Sequence, residues 1–131
     1  MNEPKWVRQD AVLVVHDRQI KLFGGQYGLR DAGLLNSALA RPKNFFFYEN
    51  ADITHLAAAY GFGICQNHPF IDGNKRTAFV VAVAFLKTNG YRFQAPQAEV
   101  IHTMENLAHG ILSEEDFIYW IRNYSSPLSK R

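Results

Sequence analysis

The chain has 131 residues, a formal net charge of +2, and 47% hydrophobic and 20% charged residues. This length fits one domain, and the composition excludes disorder as the default state. Lys and Arg form no clustered stripe, so we expect no direct nucleic-acid binding. The only cysteine, Cys65, cannot form an internal disulfide, and we interpret it as a small buried hydrophobe in a protein of the reducing cytoplasm.

Membrane attachment is not expected either. The chain begins with a polar segment, residues 1–6, which lacks the apolar stretch of a secretory signal. The longest apolar run, residues 78–86, is far shorter than the roughly 20 residues that cross a bilayer.

Hydrophobic periodicity predicts six helices, of which the first starts near Asp10 as an N-cap and stops at a Gly-Gly pair. Asp31 caps the second helix, which we expect to end before Pro42 because the residue before a proline avoids helical geometry. Residues 43–50 contain the aromatic run Phe45–Tyr48 and lack helical periodicity. They are interpreted as a loop or short hairpin that could act as a flap.

The remaining helices follow in the second half of the chain. Asp52 opens the third helix, and a fourth over about residues 74–89 is apolar almost all round, as expected of a buried central helix. Pro96 suits the first turn of the fifth helix, and Ser113 caps the sixth. The polar tail, residues 125–131, is expected to fray. The predicted class is therefore all-α.

One stretch, residues 68–77 with the sequence HPFIDGNKRT, combines features of a phosphate site. It leads into the N-terminus of the fourth helix, where unpaired backbone N–H groups attract anions. Gly73 permits a tight turn or a close backbone approach there. Lys75 and Arg76 place two cations in the first turn, where the helix dipole disfavours them. A phosphate lying between these cations explains their position.

Two further residues of this stretch supply chemistry. Asp72 is a hard oxygen ligand of the kind that holds Mg²⁺ together with phosphate oxygens and water. His68 as a neutral imidazole can take a proton from an attacking hydroxyl. Phe70 is interpreted as a hydrophobic peg that fixes the loop. Taken singly, His68 could cap a helix C-terminus, Asp72 could be an N-cap, and the cations could be a solvated face.

The same ten residues resemble the active-site signature HPFxxGNxR of the Fic/Doc superfamily, and the Lys after Asn74 resembles its death-on-curing (Doc) branch. Four other segments also fit that branch, namely residues 24–31, 34–42, 57–60 and 85–91. The resemblance implies a single Fic/Doc domain over residues 1–131, built as a compact bundle of about six helices around a buried central helix.

The resemblance also implies a role for each residue of the motif. His68 would be the general base that activates a target hydroxyl, and Asp72 would coordinate Mg²⁺. Gly73 and Asn74 would line the anion hole beneath the phosphates of ATP. Such a compact set is chemically sufficient, because phosphoryl transfer is mostly positioning and charge stabilisation.

Two departures from the Fic pattern bear on the reaction. Lys75 and Arg76 would bind the phosphates, but AMP-transferring Fic enzymes usually have Gly at the first position and a second Arg where this chain has Phe79. Doc-type proteins share the present pattern and are associated with phosphate transfer from ATP to a protein hydroxyl, with a translation elongation factor as target. A toxin with protein serine/threonine kinase activity is therefore implied. AMP transfer is the alternative, and a non-catalytic nucleotide-binding or interaction module remains a third interpretation.

Control by a separate chain is expected. Many Fic enzymes carry an inhibitory helix of pattern [S/T]xxxE[G/N]. Glu49 and Glu105 are each followed by Asn, but Phe45 and Ile101 stand four positions earlier, so neither segment fits. We therefore expect restraint by a cognate antitoxin, in the form of a disordered segment that folds into a groove on binding.

The other histidines are weaker candidates for function. His16 is interpreted as a satisfied structural residue, and Arg30 of the GLRD segment likewise. His55, His102 and His109 fall on separate predicted helices without the spacing of a zinc site.

Overall fold

The computed structural model describes residues 2–128, so the predicted end of the tail, residues 129–131, lies outside the described residues. Within that range the chain is mostly helical, which confirms the all-α class, and no helix there is long and apolar enough to cross a membrane. The elements in chain order are α1 (Gln9–Phe23), α2 (Ala32–Glu49), α3 (Ile53–Asn67), α4 (Asn74–Thr88), β1 (Tyr91–Phe93), α5 (Gln97–Ala108), α6 (Glu114–Asn123) and β2 (Ser125–Pro127).

Three helices begin at the caps that the sequence predicts. The side chains of Asp31, Asp52 and Ser113 each accept a hydrogen bond from the backbone N–H three residues later, at the starts of α2, α3 and α6. The start of α1 differs, because its N-cap is Arg8 and Asp10 lies in the first turn. There the Asp10 carboxylate still faces the positive end of the helix dipole.

Helix α2 passes through Pro42, so the prediction of a loop or flap hairpin at residues 43–50 is wrong. A proline inside a helix removes one backbone hydrogen bond and costs about 3 kcal/mol or more. Burial of the following aromatic turn offsets this cost, because Phe45 and Phe46 pack against the core and the Phe46 ring meets Trp6 edge-on at 5.7 Å. The tertiary contacts therefore override the local signal of the proline.

The sequence predicts α4 as the central helix of the bundle, but in the structure the central helix is α3. Eleven of the fifteen residues of α3 are buried, against seven of fifteen in α4. Small residues make this possible, because a Cβ on Gly61 would meet the Phe117 ring at 3.0 Å and one on Gly63 would meet Ala38 at 3.2 Å. Helices α2, α4 and α6 thus pack closely around α3, and α3 leads directly into the motif.

The two short strands form an antiparallel pair at the other end of α4. Phe93 stands opposite Ser125 in the register, and the Leu128 N–H donates to the Gly90 carbonyl at 2.9 Å. The expected fraying is therefore wrong for residues 125–127, and the sequence predicts neither of these strands. Three-residue strands are too short to show an alternating pattern in the sequence.

Candidate active site

The motif begins where α3 ends. His68 caps α3 in the left-handed conformation, with φ 53° and ψ 53°, and the buried Pro69 follows it. Such a residue terminates a helix sharply and turns the chain. The exposed His68 side chain is thereby placed between the end of α3 and the start of α4. The interpretation of His68 as a helix cap is correct for its backbone and leaves its imidazole available for chemistry.

The loop after His68 pairs with the segment that connects α1 and α2. The Ile71 N–H donates to the Gly28 carbonyl at 3.1 Å, and the N–H groups of Arg30 and Asp31 both donate to the Pro69 carbonyl, at 2.7 and 3.0 Å. Gly28 has φ 128°, and a Cβ there would lie 2.9 Å from the Ile71 side chain. The connecting segment therefore acts as a second strand for the loop, and only glycine fits at its closest point.

Arg30 fixes the position of His68 through the backbone. Its Nε donates to the His68 carbonyl at 2.8 Å, and a terminal nitrogen donates to the Asn67 carbonyl at 3.1 Å. A cation at the C-terminus of a helix satisfies unpaired carbonyls and opposes the negative end of the dipole. The structural interpretation of Arg30 is confirmed, although the sequence did not indicate what Arg30 contacts.

Phe70 and His16 form the buried base of the loop. The Phe70 side chain is fully buried, and its ring lies parallel to the His16 ring with centroids 3.8 Å apart. His16 is itself 2% exposed, and its Nε2 lies 2.8 Å from the Asp72 carbonyl oxygen. Because a carbonyl can only accept, this ring nitrogen carries the proton. The predicted peg and the structural role of His16 are both confirmed.

Asn74 holds the loop from the opposite side. Its Oδ1 accepts the Phe70 N–H and its Nδ2 donates to the Phe70 carbonyl, both at 2.9 Å, while Nδ2 also lies 3.1 Å from His68 Nδ1. The side chain is 4% exposed. The side chain of Asn74 therefore faces the inside of the loop. That Asn74 lines an anion hole stays a prediction, and its side chain is occupied by contacts with Phe70 and His68.

The start of α4 has the properties of an anion site. Gly73 adopts φ 77°, a left-handed conformation that favours glycine, and a Cβ there would meet the Ile20 side chain at 3.0 Å. No side chain of residues 2–128 caps this end of the helix, a feature that it shares with the starts of α1 and α5, whereas Asp31, Asp52 and Ser113 cap the other three helices. The first N–H groups of α4 are thus left for a ligand.

The two cations of the motif contact different elements. Lys75 Nζ donates to Glu105 Oε1 of α5 at 2.7 Å, and both side chains are more than two-fifths exposed. The hydrogen bond and charge of Lys75 lower the pKa of Glu105. Arg76 donates to the Gly24 carbonyl at 3.1 Å, with its guanidinium 5.4 Å from the centre of the Phe23 ring. Phosphate binding by Lys75 therefore requires it to leave or share Glu105.

Asp72 is the one carboxylate of the motif. It is exposed, and its Oδ2 accepts the Gln26 N–H at 2.8 Å. Among residues 2–128 no group of three or more His, Cys, Asp or Glu side chains is arranged to hold a metal ion. A single carboxylate beside a phosphate site fits Mg²⁺, which keeps several waters and takes its other ligands from substrate phosphates.

Two other features of the chain lie outside this site. Cys65 is buried, and burial raises the pKa of its thiol to about 11, which confirms that it is a small hydrophobe and not a nucleophile. A cavity of about 520 Å³ is formed elsewhere, and none of its lining residues belongs to the motif. They are Phe45, His55, Glu114, Glu115, Ile118, Tyr119 and Arg122.

Residues from distant parts of the chain complete the site, and their contacts cannot be predicted from the sequence. Gln26 and Glu105 lie 46 and 30 residues from their partners in the motif. Gln26 lies within the family-like segment 24–31 but shows no sign of this contact, and Glu105 belongs only to a pattern for an inhibitory helix that does not fit. The GLRD segment, residues 28–31, was the one sequence feature that pointed to the connection between α1 and α2, which pairs with the loop after His68.

These features define a helical domain with an uncapped helix start and a histidine beside it, and the chain belongs to the Fic/DOC family, which it matches over residues 6–86. It is similar to a protein named Toxin Doc from Mycolicibacterium smegmatis, with 41% identity over 75 residues, or 56% of this chain. That match spans 58% of the mycobacterial protein, less than two thirds of its length. The chain is also 31% identical to the Protein kinase doc of Escherichia phage P1, over 93 residues that make up 70% of this chain and 74% of that protein.

Proposed function

We propose that this chain is the toxin of a toxin–antitoxin module and that it transfers phosphate from ATP to a Thr or Ser hydroxyl of a protein. The observation that carries the proposal is the placement of His68 on a fixed loop beside the uncapped start of α4. The names of the two relatives, a Doc toxin and a Doc protein kinase, support the class of protein and of reaction. From the resemblance of the motif to Doc-type proteins, we further propose that the target is a translation elongation factor in the cytoplasm and that its modification arrests translation.

The proposed reaction requires one base and one phosphate cradle. The target oxygen forms a bond to the γ-phosphorus of ATP while the bond from that phosphorus to the β,γ-bridging oxygen breaks and ADP leaves. A ring nitrogen of His68 takes the proton of the target hydroxyl. The loop fixes the backbone from which this ring extends, because Arg30 donates to the His68 carbonyl, and Asn74 contacts the ring in the free protein.

The phosphates are proposed to lie at the start of α4. The free N–H groups of the first turn and the Arg76 guanidinium would contact the phosphate oxygens of ATP. Lys75 would add a second cation once its side chain turns away from Glu105. Asp72 would hold Mg²⁺, which when bound neutralises phosphate charge. Gly73 lets the backbone approach the phosphates closely.

The side chain at position 79 favours transfer of the γ-phosphate over transfer of AMP. Phe79 packs against Phe93 and Trp120, with ring centroids 5.6 and 6.4 Å apart, so it belongs to an aromatic cluster next to the strand pair. A phosphate contact from this position is therefore lacking. Lys75 also adds bulk and charge where AMP-transferring relatives have glycine.

The position of the label decides between the two reactions. The protein is incubated with Mg²⁺, a cell extract and ATP that is labelled at either the α- or the γ-phosphate. We expect label on a single protein band from γ-labelled ATP only, and mass spectrometry of that band identifies the modified residue. Label that enters only from the α-position would replace the kinase proposal with AMP transfer.

Restraint by a separate antitoxin is part of the same proposal. Expression of the chain alone is expected to arrest growth, and co-expression with its antitoxin to restore it. Normal growth at a high level of folded protein would contradict the toxin proposal. The His68→Ala and Lys75→Ala variants then separate an enzyme from a non-catalytic module, because a module keeps its effect on growth in both.

A further inference from the structure

The contact between Asn74 and His68 determines where the imidazole carries its proton. The orientation of the Asn74 amide is fixed by two hydrogen bonds to one residue, since its oxygen accepts the Phe70 N–H and its nitrogen donates to the Phe70 carbonyl, both at 2.9 Å. Exchanging the amide oxygen and nitrogen would place two donors and two acceptors face to face. The atom 3.1 Å from His68 Nδ1 is therefore the Asn74 nitrogen, which can only donate.

We propose that Asn74 is a positioning residue that holds neutral His68 in the tautomer with its proton on Nε2. The second hydrogen of Asn74 Nδ2 points to Nδ1, so Nδ1 must supply a lone pair. Asn74 is 4% exposed, so its amide cannot turn towards water, although the His68 side of the contact is exposed. No hydrogen bond to Nε2 of His68 is formed by residues 2–128, so this nitrogen is left for a ligand.

This inference rests on the proposed function for its catalytic meaning. With its proton on Nε2, the ring offers a donor to the substrate and cannot take a hydroxyl proton at that nitrogen. The base-competent tautomer has its proton on Nδ1, and that proton would face the Asn74 N–H. The free protein thus rests in a tautomer that is not ready for proton transfer at Nε2, and His68 must move from Asn74 before it acts there as the base.

Two other histidines of the chain provide internal references. His16 Nε2 faces the Asp72 carbonyl at 2.8 Å, so this ring is held in the Nε2–H tautomer by an unambiguous acceptor. His102 Nε2 lies 3.1 Å from Asn106 Nδ2 on the exposed face of α5. The Asn106 oxygen has no hydrogen bond to the described residues, so its amide can turn over. His102 and Asn106 therefore form an Asn–His pair in which the tautomer of the histidine is not fixed.

The test is the long-range proton–nitrogen NMR spectrum of the imidazole rings in the free protein, at a pH where all rings are neutral. We expect His68 to show one tautomer, with Nδ1 in the unprotonated and Nε2 in the protonated shift range, as for His16. His102 should show averaged shifts. A His68 spectrum with a protonated Nδ1, or one averaged like that of His102, would overturn the proposal.

The Asn74→Asp variant reverses the contact, because a carboxylate can only accept. One oxygen still receives the Phe70 N–H, while the other loses the hydrogen bond to the Phe70 carbonyl, faces it as a second acceptor, and favours a proton on His68 Nδ1. We expect the Nδ1 shift of His68 to move to the protonated range, whereas the matched Asn106→Asp variant leaves it unchanged. A folded Asn74→Asp protein with an unaltered His68 spectrum would contradict the role of Asn74.

The outcome does not depend on catalysis. If Asn74→Asp fails to fold, the wild-type spectrum alone decides the matter. No nucleotide is present in these spectra, so absence of label transfer from ATP would remove the kinase proposal and leave the tautomer assignment standing.

Discussion

The two sides of the candidate site are held in different ways. The loop side, residues 68–72, is fixed by buried or backbone contacts from His16, Arg30 and Asn74. The cation side consists of Lys75 and Arg76, whose contacts are a partly exposed ion pair and one hydrogen bond to a carbonyl. Exposed ion pairs contribute little to stability and exchange partners readily, whereas buried networks hold one geometry.

This difference separates two tasks within ten residues. The group proposed to take a proton must extend from a fixed backbone, since misplacement of a reacting atom by about 1 Å can cost a hundredfold in rate. The groups proposed to bind phosphate act through charge over several ångströms and tolerate movement. Substitutions on the loop side should therefore affect folding or the chemical step, and those on the cation side should affect nucleotide affinity with little change in stability.

The largest expected effect is on catalysis. His68→Ala should reduce label transfer from ATP by roughly 10²- to 10⁴-fold, because it removes the proposed general base. Its thermal unfolding should stay close to that of the wild type, since the His68 side chain is exposed. His102→Ala is the matched control, an exposed histidine that also contacts an Asn amide, and it should leave transfer intact. Equal activity of the two variants would contradict the proposal that the loop side of the site carries the general base.

The next effect is on stability. Phe70→Ala should lower the free energy of unfolding by about 3–5 kcal/mol, as for other large-to-small changes at fully buried positions, because it removes the ring that stacks on His16. Urea denaturation followed by circular dichroism measures this change. Ile71→Ala, at a side chain that is 41% exposed in the same loop, serves as the comparison and should cost far less. A similar loss for both would mean that the loop is not anchored through Phe70.

The sequence predicted those parts of the fold that rest on local chemistry. Asp31, Asp52 and Ser113 were recognised as caps because a cap needs only the next three residues. The extension of α2 through Pro42 was missed, because its stability comes from packing of the following aromatic residues against distant parts of the chain. The pairing of residues 91–93 with residues 125–127 was missed for the same reason.

The same distinction applies to the site. Its chemical groups lie within one stretch of ten residues and could be read from their order. The contacts that determine what each group can do come from far along the chain, as with His16 to Asp72, 56 residues apart, and Arg30 to His68, 38 residues apart. Lys75 shows the consequence, because the sequence placed it on phosphate and the structure pairs it with Glu105.

A smaller effect is expected on nucleotide binding. Glu105→Gln should raise the affinity for Mg²⁺-ATP by roughly two- to fivefold, the range of an exposed ion pair, because Lys75 no longer has to leave a carboxylate. Isothermal titration calorimetry measures this change. Glu115→Gln removes the same charge at an exposed position of α6 for which no ion pair is recorded among residues 2–128, and it should change the affinity less. Lower affinity in Glu105→Gln would show that the pair helps Lys75 to reach phosphate.

The smallest effect is the acid dependence of the ion pair. Lys75 lowers the pKa of Glu105 in the folded protein relative to its ordinary value, so the unfolded chain binds the proton more readily than the folded one does. The stabilisation from the pair is therefore present at neutral pH and is lost as the pH falls through the acidic range in which Glu105 is protonated. We expect the difference in Tm between wild type and Glu105→Gln to be small near neutral pH and to vanish in acid or at high salt. A difference that persists in acid would mean that the ion pair with Lys75 is not its source.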